Sequence, residues 1–206
     1  MRSANKKTFF GNFSFEVGNE VYAPAEDTFF FAENLHVKKG SRVVDMGTGS
    51  GILGILAAEQ AETVLAVDIN PFAMQCAKQN ATANNVSCNM SFLRGDLFNS
   101  LATSVNFDLI LFNAPYLPSD GDDYKSWLGF AWAGGTTGRE VIDRFISQAP
   151  QHLAEKGEIL LVQSNLANFQ ETKEKFRSLG MKADTVATLN LPFFETLFLL
   201  KVTFKS

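Results

Sequence analysis

The fold of this 206-residue chain is decided by the stretch Asp45-Met46-Gly47-Thr48-Gly49-Ser50-Gly51-Ile52-Leu53-Gly54. A β-branched run precedes it at residues 42–44 and a helix-like apolar run follows at residues 52–60, so we expect a strand, a turn and a helix. Glycine has no Cβ, and a turn with several glycines therefore lets a ligand approach the backbone closely. Free amide groups at the start of the helix favour a negatively charged group. The stretch predicts a ligand-binding turn at the end of a strand.

Strand and helix patterns alternate along the rest of the chain, which predicts a parallel sheet covered on both faces with right-handed crossovers. The last two strands have no helix between them and should form an antiparallel hairpin. We therefore predict an α/β, doubly wound (Rossmann-like) fold with a seven-stranded, mostly parallel sheet and an antiparallel last strand, as in class I methyltransferases. The predicted strands are residues 42–45, 63–68, 87–93, 107–112, 157–163, 181–189 and 196–204, and the helices 52–60, 71–84, 140–153 and 169–179.

The N-terminal residues 1–40 are predicted to be an extension of this sheet. Apolar residues alternate over residues 13–17, which indicates a short strand or hairpin. Pro24, with acidic residues after it, predicts a helix that ends near Gly40. Because no linker or repeat divides the chain, residues 1–206 are expected to form a single domain.

The charge and cysteine content narrow the class of protein. The formal net charge is −4 and there is no dense basic run, which argues against a protein that binds long nucleic acids. Cys76 and Cys88 lack metal-ligand spacing, so we expect reduced thiols and no metal site. The sequence holds no apolar run of the roughly 18 residues that a membrane span needs. Residues 1–7 are polar, which is unlike a signal peptide. The expected compartment is the cytoplasm.

Acidic residues follow the first three predicted strands. Asp45 is placed to receive an ammonium group, directly or through water, and Asp68 to accept both hydroxyls of a ribose. Asp96 could meet the amino group of an adenine, with Leu97 beside the ring. With the close backbone approach that Gly47, Gly49 and Gly51 allow, these positions suit the two ends of S-adenosylmethionine.

The same residues admit a second interpretation. Gly49 to Gly54 also matches the nicotinamide fingerprint GxGxxG, with Asp68 about twenty residues further on. Asp45 argues against this interpretation, because it would repel a pyrophosphate from its position just before the first glycine. The chain also has little room for a separate catalytic domain. Methyl transfer is therefore favoured over hydride transfer.

The motif Asn113-Ala114-Pro115-Tyr116 follows the fourth strand, at the edge of the sheet where ligands bind in such folds. A planar NH2 group is a poor nucleophile because its lone pair is delocalised. The Asn113 side-chain oxygen and the Ala114 backbone oxygen could orient its protons, while Tyr116 stacks on the plane and Pro115 stiffens the turn. Asn113 and Tyr116 are the candidate catalytic residues. An ordinary Asn-x-Pro turn is the alternative.

Taken together, these motifs resemble the HemK-like release factor glutamine N5-methyltransferases in their archaeal and eukaryotic branch. The resemblance covers nearly the whole chain. It rests on residues 22–28 (YAPAEDT), 45–51 (DMGTGSG), 68–71 (DINP), 131–135 (AWAGG), 138–145 (GREVIDRF) and 195–197 (ETL). The family usually has proline where this chain has Ala114. Alanine leaves the loop less rigid than proline does, but it keeps the backbone oxygen.

The resemblance implies a substrate and its site residues. The family methylates the glutamine side chain of the Gly-Gly-Gln loop of class 1 translation release factors. Tyr22 and Thr28 would then help the N-terminal extension to close over the cofactor. The glutamine would contact Asn113 and Tyr116 together with Ala114, Pro115 and Trp132.

The resemblance also implies a partner. The branch works as a heterodimer with a small zinc-binding activator subunit, which covers an apolar edge of the catalytic domain. Met90 and Phe92, on the third predicted strand, are the candidate residues of that edge, although a place in this chain's own core is favoured for each residue taken singly.

Two other functions remain open from the sequence. One is an adenine or cytosine amino-methyltransferase of nucleic acid, which also acts on a planar NH2 group. The acidic balance and the absence of a target-recognition domain count against it. The other is a binding module without catalysis, against which the full set of acidic residues and Asn113 argues.

Overall fold

The N-terminal part of the chain forms a hairpin and a short helix. The computed structural model describes residues 6–205, so the first five residues of the predicted extension and residue 206 lie outside the described residues. Strands β1 (Lys6–Phe10) and β2 (Phe13–Val17) pair antiparallel. Helix α1 (Glu26–Glu33) ends earlier than predicted because Asn34 folds back, its Nδ2 donating to the Phe30 carbonyl at 2.8 Å.

Within residues 6–205, the remaining strands form a seven-stranded sheet in the order β5-β4-β3-β6-β7-β9-β8. Strand β9 is antiparallel to both of its neighbours, whereas the other pairs are parallel. The predicted doubly wound sheet with an antiparallel last strand is confirmed. The strands are β3 (Arg42–Met46), β4 (Thr63–Asp68), β5 (Met90–Arg94), β6 (Phe107–Asn113), β7 (Leu153–Ser164), β8 (Met181–Asn190) and β9 (Thr196–Phe204).

The crossover helices have local signals at their ends. Asn70 begins the helix at residue 71, where its side chain accepts from the Phe72 amide at 2.9 Å and Pro71 supplies a first residue that needs no partner. None of the helices within residues 6–205 combines the length and apolarity needed to cross a bilayer. The helices are α2 (Ile52–Ala57), α3 (Pro71–Ala83), α4 (Trp127–Phe130), α5 (Glu140–Gln148) and α6 (Phe169–Ser178).

The chain changes direction across the sheet between β3 and β6, which are neighbours in the sheet but far apart in sequence. Crevices beyond the carboxyl ends of strands at such a switch point bind ligands in open α/β sheets. The hairpin is held beside this point by Asn80 of α3 and by Asn84, the residue directly after that helix. Asn80 accepts from the Glu16 amide at 2.9 Å, and Asn84 accepts from the Ser14 amide at 3.0 Å. The N-terminal segment is thereby directed over the same edge of the sheet.

Candidate active site

A cavity of about 280 Å³ lies at the carboxyl ends of β3, β4 and β6. Its walls come from the N-terminal segment, the glycine turn, the loop after β5, the loop after β6 and the start of α5. The predicted site residues that line it are Tyr22, Thr28, Gly47, Gly49, Asp68, Asp96, Leu97, Asn113, Ala114 and Pro115. Four predicted residues, Asp45, Gly51, Tyr116 and Trp132, do not line it.

The glycine turn forms one wall of the cavity. Gly47 and Gly49 line it and have φ angles of 66° and 56°, in the left-handed region that favours glycine. Gly51 has a φ of 88°, but a Cβ there would lie 3.0 Å from the Cα and Cβ of Ala77 in α3. Gly51 therefore does not line the cavity, and its lack of a side chain lets α2 and α3 pack closely. Its contact with the cofactor stays a prediction.

Asp45 lies beneath the turn instead of facing the cavity. Its side chain is buried, and Oδ2 accepts from the Thr48 hydroxyl at 2.6 Å and from the Gly54 amide at 2.9 Å. Burial raises the pKa of Asp45 to about 7. Both of these bonds end on Oδ2, so this oxygen joins the two ends of the turn. The contact of Asp45 with an ammonium group, directly or through water, stays a prediction.

Asp68 ends β4 and lies on the cavity wall. Its two oxygens accept from the backbone amides of Gly49 and Asn70, both at 2.9 Å, so the carboxylate aligns the glycine turn with the start of α3. Burial raises the pKa of Asp68. A carboxylate has about four lone-pair sites, which leaves acceptor capacity for a ligand's hydroxyl groups.

The loop after β5 supplies the next part of the wall. Asp96 forms an ion pair with Arg144 of α5, and both side chains line the cavity. Leu97 beside them has a left-handed backbone (φ 49°) that fixes the turn. Ile69, directly after β4, also lines the wall and is 40 % exposed, which gives this end of the cavity an apolar surface for a planar ring.

Asn113 is the last residue of β6, and the two polar atoms of its side-chain amide differ in their hydrogen bonding. Its Nδ2 donates to Oδ2 of Asp27 at 2.9 Å and lies 3.5 Å from the Thr28 hydroxyl. Its Oδ1 is buried and has no hydrogen-bond partner within residues 6–205. Leaving a buried acceptor unpaired costs about 1–3 kcal/mol, so the arrangement is completed when a donor reaches this oxygen.

The N-terminal segment brings Tyr22, Asp27 and Thr28 to the same place. The hydroxyls of Tyr22 and Thr28 donate to Oδ1 of Asp27, at 3.4 Å and 3.2 Å. Burial, together with the nearby Asp27 charge, raises the pKa of Tyr22, so its hydroxyl remains a donor at neutral pH.

Tyr116 and Trp132, which are predicted to contact the substrate, do not line the cavity. Tyr116 is buried, and burial and the charge of Asp27 raise its pKa. Its stacking on the substrate stays a prediction. The Trp132 backbone oxygen accepts from the Leu117 amide at 3.0 Å, and its neighbours Ala131 and Ala133 line the cavity.

Another tryptophan lines the cavity in place of Trp132. Trp127 lies on α4 with Phe130, their ring centroids 5.6 Å apart, and both line the wall. The helix turn is fixed by Ser126, whose hydroxyl accepts from the Gly129 amide at 3.0 Å. The Ser-x-x-Gly signal for a helix start could have been found from the sequence, but the direction of the tryptophan could not.

The predicted partner surface on β5 is only partly exposed. This strand is at the edge of the sheet. Met90, however, is buried, and its methyl group would lie 3.2 Å from a Cβ at Gly54. Met90 therefore belongs to the core of this chain, while Phe92 remains half-buried.

Comparison with known proteins places this geometry in a family. The family model described as "Methyltransferase small domain" matches residues 24–130. A provisionally named protein N5-glutamine methyltransferase of Methanocaldococcus jannaschii is 43 % identical over 178 residues, which are 85 % of this chain and 88 % of that protein. Methyltransferase HEMK2 of Homo sapiens is 31 % identical over 196 residues, 90 % of either chain.

A solved structure has the same fold. It is the E. cuniculi Mtq2–Trm112 complex, described as responsible for methylation of the eRF1 translation termination factor. The match has a TM-score of 0.71 and 24 % identity, and covers 90 % of this chain and 99 % of that one. With its fold and relatives, this chain belongs to the methyltransferase small domain family, in the HemK-like group of class I methyltransferases, whose methyl donor is S-adenosylmethionine.

Proposed function

We propose that this chain methylates the side-chain nitrogen of a glutamine, in the Gly-Gly-Gln loop of a class 1 translation release factor. The observation that carries the proposal is the buried Oδ1 of Asn113, an acceptor without a partner within residues 6–205. The names of similar proteins support it. One relative is a provisionally named N5-glutamine methyltransferase, and one solved complex is described as responsible for the methylation of a translation termination factor.

The residues of the cavity fit S-adenosylmethionine. Gly47 and Gly49 leave room for a ligand against the turn, while Asp68 would accept the ribose hydroxyls. Asp96 and Leu97 would contact the adenine at the other end. When bound, this cofactor supplies a methyl group activated by a positively charged sulfur.

Asn113, the last residue of β6, and the residues after it would hold the methyl acceptor, which is the glutamine side chain. Asn113 Oδ1 and the Ala114 backbone oxygen would each accept a hydrogen bond from one N–H of the glutamine NH2 group, which orients the nitrogen lone pair. Pro115 restricts the backbone that carries both acceptors. Orientation of a bound pair can supply much of the rate enhancement, so a strong base is not required.

We also infer a small activator partner, by analogy with the Mtq2–Trm112 complex. That this partner binds zinc is implied by the resemblance to the HemK-like branch. Strand β5 is the edge of the sheet, and half-buried Phe92 is the apolar residue that such a partner would cover. Purification with and without a candidate partner, followed by size-exclusion chromatography, tests the heterodimer.

The function is tested by mass spectrometry of the Gly-Gly-Gln peptide after incubation of the release factor with enzyme, cofactor and candidate activator. We expect one added methyl group on the glutamine side chain. Transfer to DNA or RNA in parallel reactions, with none to the release factor, would overturn the proposal in favour of nucleic acid.

The role of Asn113 is tested by Asn113→Ala. Turnover should fall on the order of a hundredfold, the scale of losing a fixed hydrogen-bonding group in an active site, while S-adenosylhomocysteine still binds. Asn106→Ala is the matched control, because that side chain does not line the cavity and its one hydrogen bond within residues 6–205 goes to the Ser104 carbonyl. Equal turnover in both variants would remove Asn113 from the mechanism.

A further inference from the structure

The side chain of Asp27 has an unusual position for an acid in the first turn of a helix. It is 8 % exposed and lies at the centre of three polar side chains. Oδ1 accepts from Tyr22 and Thr28, and Oδ2 accepts from Asn113, although Asn113 is 86 residues away in sequence. Glu26, the acid beside it, makes no side-chain hydrogen bond within residues 6–205. Helix-end charge alone therefore explains Glu26 but not the contacts of Asp27.

The chemistry of these contacts fixes which way the Asn113 amide points. A carboxylate accepts hydrogen bonds and an amide oxygen does the same, so only the NH2 end of Asn113 can face Asp27 at 2.9 Å. The Thr28 hydroxyl strengthens this preference: its proton is donated to Asp27, which leaves a lone pair towards Asn113 Nδ2 at 3.5 Å. The opposite orientation would set two acceptors against each other.

We propose that Asp27 is a positioning residue, which fixes the Asn113 amide with its oxygen turned to the substrate. This rests on the proposed function, in which that oxygen accepts from the substrate's NH2 group. The oxygen and the NH2 end of the Asn113 amide are nearly equivalent in shape. Without Asp27, the amide would be rotated by half a turn in part of the enzyme molecules, which would then offer a donor where the substrate needs an acceptor.

The first test compares Asp27→Asn with the matched control Glu26→Gln, both of which remove one charge from the same helical turn. Asp27→Asn should lower kcat at least about tenfold at saturating cofactor, because a charge-assisted hydrogen bond is replaced by an amide that can face Asn113 either way. Glu26→Gln should stay within about twofold. Equal kcat values in the two variants would overturn the proposal.

A swap of the two side chains separates positioning from a loss of folding. Asn113→Asp alone sets two carboxylates against each other, whereas Asn113→Asp combined with Asp27→Asn restores a donor–acceptor pair and leaves an acceptor for the substrate. The double variant should be at least about tenfold more active than Asn113→Asp alone. If adding Asp27→Asn lowers activity further, Asp27 acts in another way.

A measurement without turnover keeps this inference distinct from the proposed function. In spectra of isotope-labelled enzyme, the side-chain NH2 signal that disappears in Asn113→Ala should be shifted downfield by its bond to a carboxylate. The shift should disappear in Asp27→Asn and persist in Glu26→Gln. An unchanged signal in Asp27→Asn would refute the positioning role, while a release factor left unmethylated by the wild-type enzyme would refute only the function.

Discussion

The substitution Asp45→Asn gives a stability difference whose pH dependence follows from the structure. Both hydrogen bonds to the side chain, from Thr48 at 2.6 Å and from Gly54 at 2.9 Å, end on the single oxygen Oδ2. An amide has one such oxygen, so the variant can keep both bonds. The main change is the loss of a group that can ionise inside the protein.

The magnitude follows from the pKa of Asp45, which burial raises from an ordinary value of about 3.9 in the unfolded chain to about 7. Below about pH 4 both states are protonated and the full stability is present. Between those values the unfolded chain releases the proton and the folded chain keeps it, so the free energy of unfolding falls by about 1.4 kcal/mol per pH unit. The wild type loses about 4 kcal/mol from this group by pH 7, whereas the variant loses nothing from it.

The assay is urea unfolding of both proteins without cofactor, at intervals from about pH 4 to about pH 8. The free energy of unfolding of the variant minus that of the wild type should rise by about 4 kcal/mol across this range, since other titrating groups cancel in the difference. Asp184→Asn, at an exposed position on β8, is the matched control and should give a difference that changes little with pH. A difference for Asp45→Asn that is flat, or that falls as the pH rises, would refute the buried, protonated carboxyl group.

Three further predictions concern the turn, the cofactor wall and the packing of α5. Gly51→Ala should destabilise the fold by about 2–4 kcal/mol in urea unfolding, because it adds a close contact with Ala77 to the left-handed backbone. Gly40→Ala shares the positive φ but has open space around it, so it should cost only about 1–2 kcal/mol; equal losses would contradict the steric account. Asp68→Ala should raise the Kd of S-adenosylhomocysteine on the order of a hundredfold by calorimetry, and an unchanged Kd would exclude the ribose contact. Arg139→Met should lower the free energy of unfolding by about 3 kcal/mol, since this buried guanidinium donates to two backbone carbonyls before α6; a loss below about 1 kcal/mol would count against it.

The sheet could be predicted because each of its strands has a local signal. The run at residues 107–112 is apolar except for Asp108, as suits a strand covered on both faces, and it forms β6 almost as predicted. Element ends were less predictable. The third strand begins at Met90 instead of residue 87, since residues 87–89 form a helical turn. That the whole chain is a single domain stays a prediction.

The cofactor half of the candidate site was also accessible from the sequence. Asp68 and Asp96 each follow a strand, and the carboxyl ends of parallel strands meet at one edge. Spacing does not show which side of a turn a residue faces, however. Asp45 and Gly51 lie in the same glycine turn as Gly49, yet one is buried below it and the other packs against α3.

The part of the site that would hold the methyl acceptor depends on contacts between residues that are far apart in sequence. In the loop after β6, pairing of Leu117 with Trp132 and Gly134 decides which side chains reach the cavity, and Trp127 does so in place of Trp132. In the sequence, nothing distinguishes Asp27 from any other acidic residue in the first turn of a helix. Its partner Asn113 is the last residue of a strand that is reached only after three crossovers, so their contact exists only in the folded chain.

The part of the site that faces the cofactor and the part that faces the methyl acceptor are thus held together in different ways. This difference bears on how such a fold can change the methyl acceptor that it binds. The cofactor wall is built from consecutive strand–helix units, where an acid is fixed by its own unit or by the one before it, as Asp68 is by Asn70 and by Gly49. The acceptor wall joins α1, the end of β6 and the loop around α4, which are held together only by tertiary contacts. Substitutions in that wall can alter which NH2 group is held while the cofactor turn stays intact. A hydrogen bond such as that from Asn113 to Asp27 then matters more than its strength suggests, because it decides whether the wall offers an acceptor or a donor.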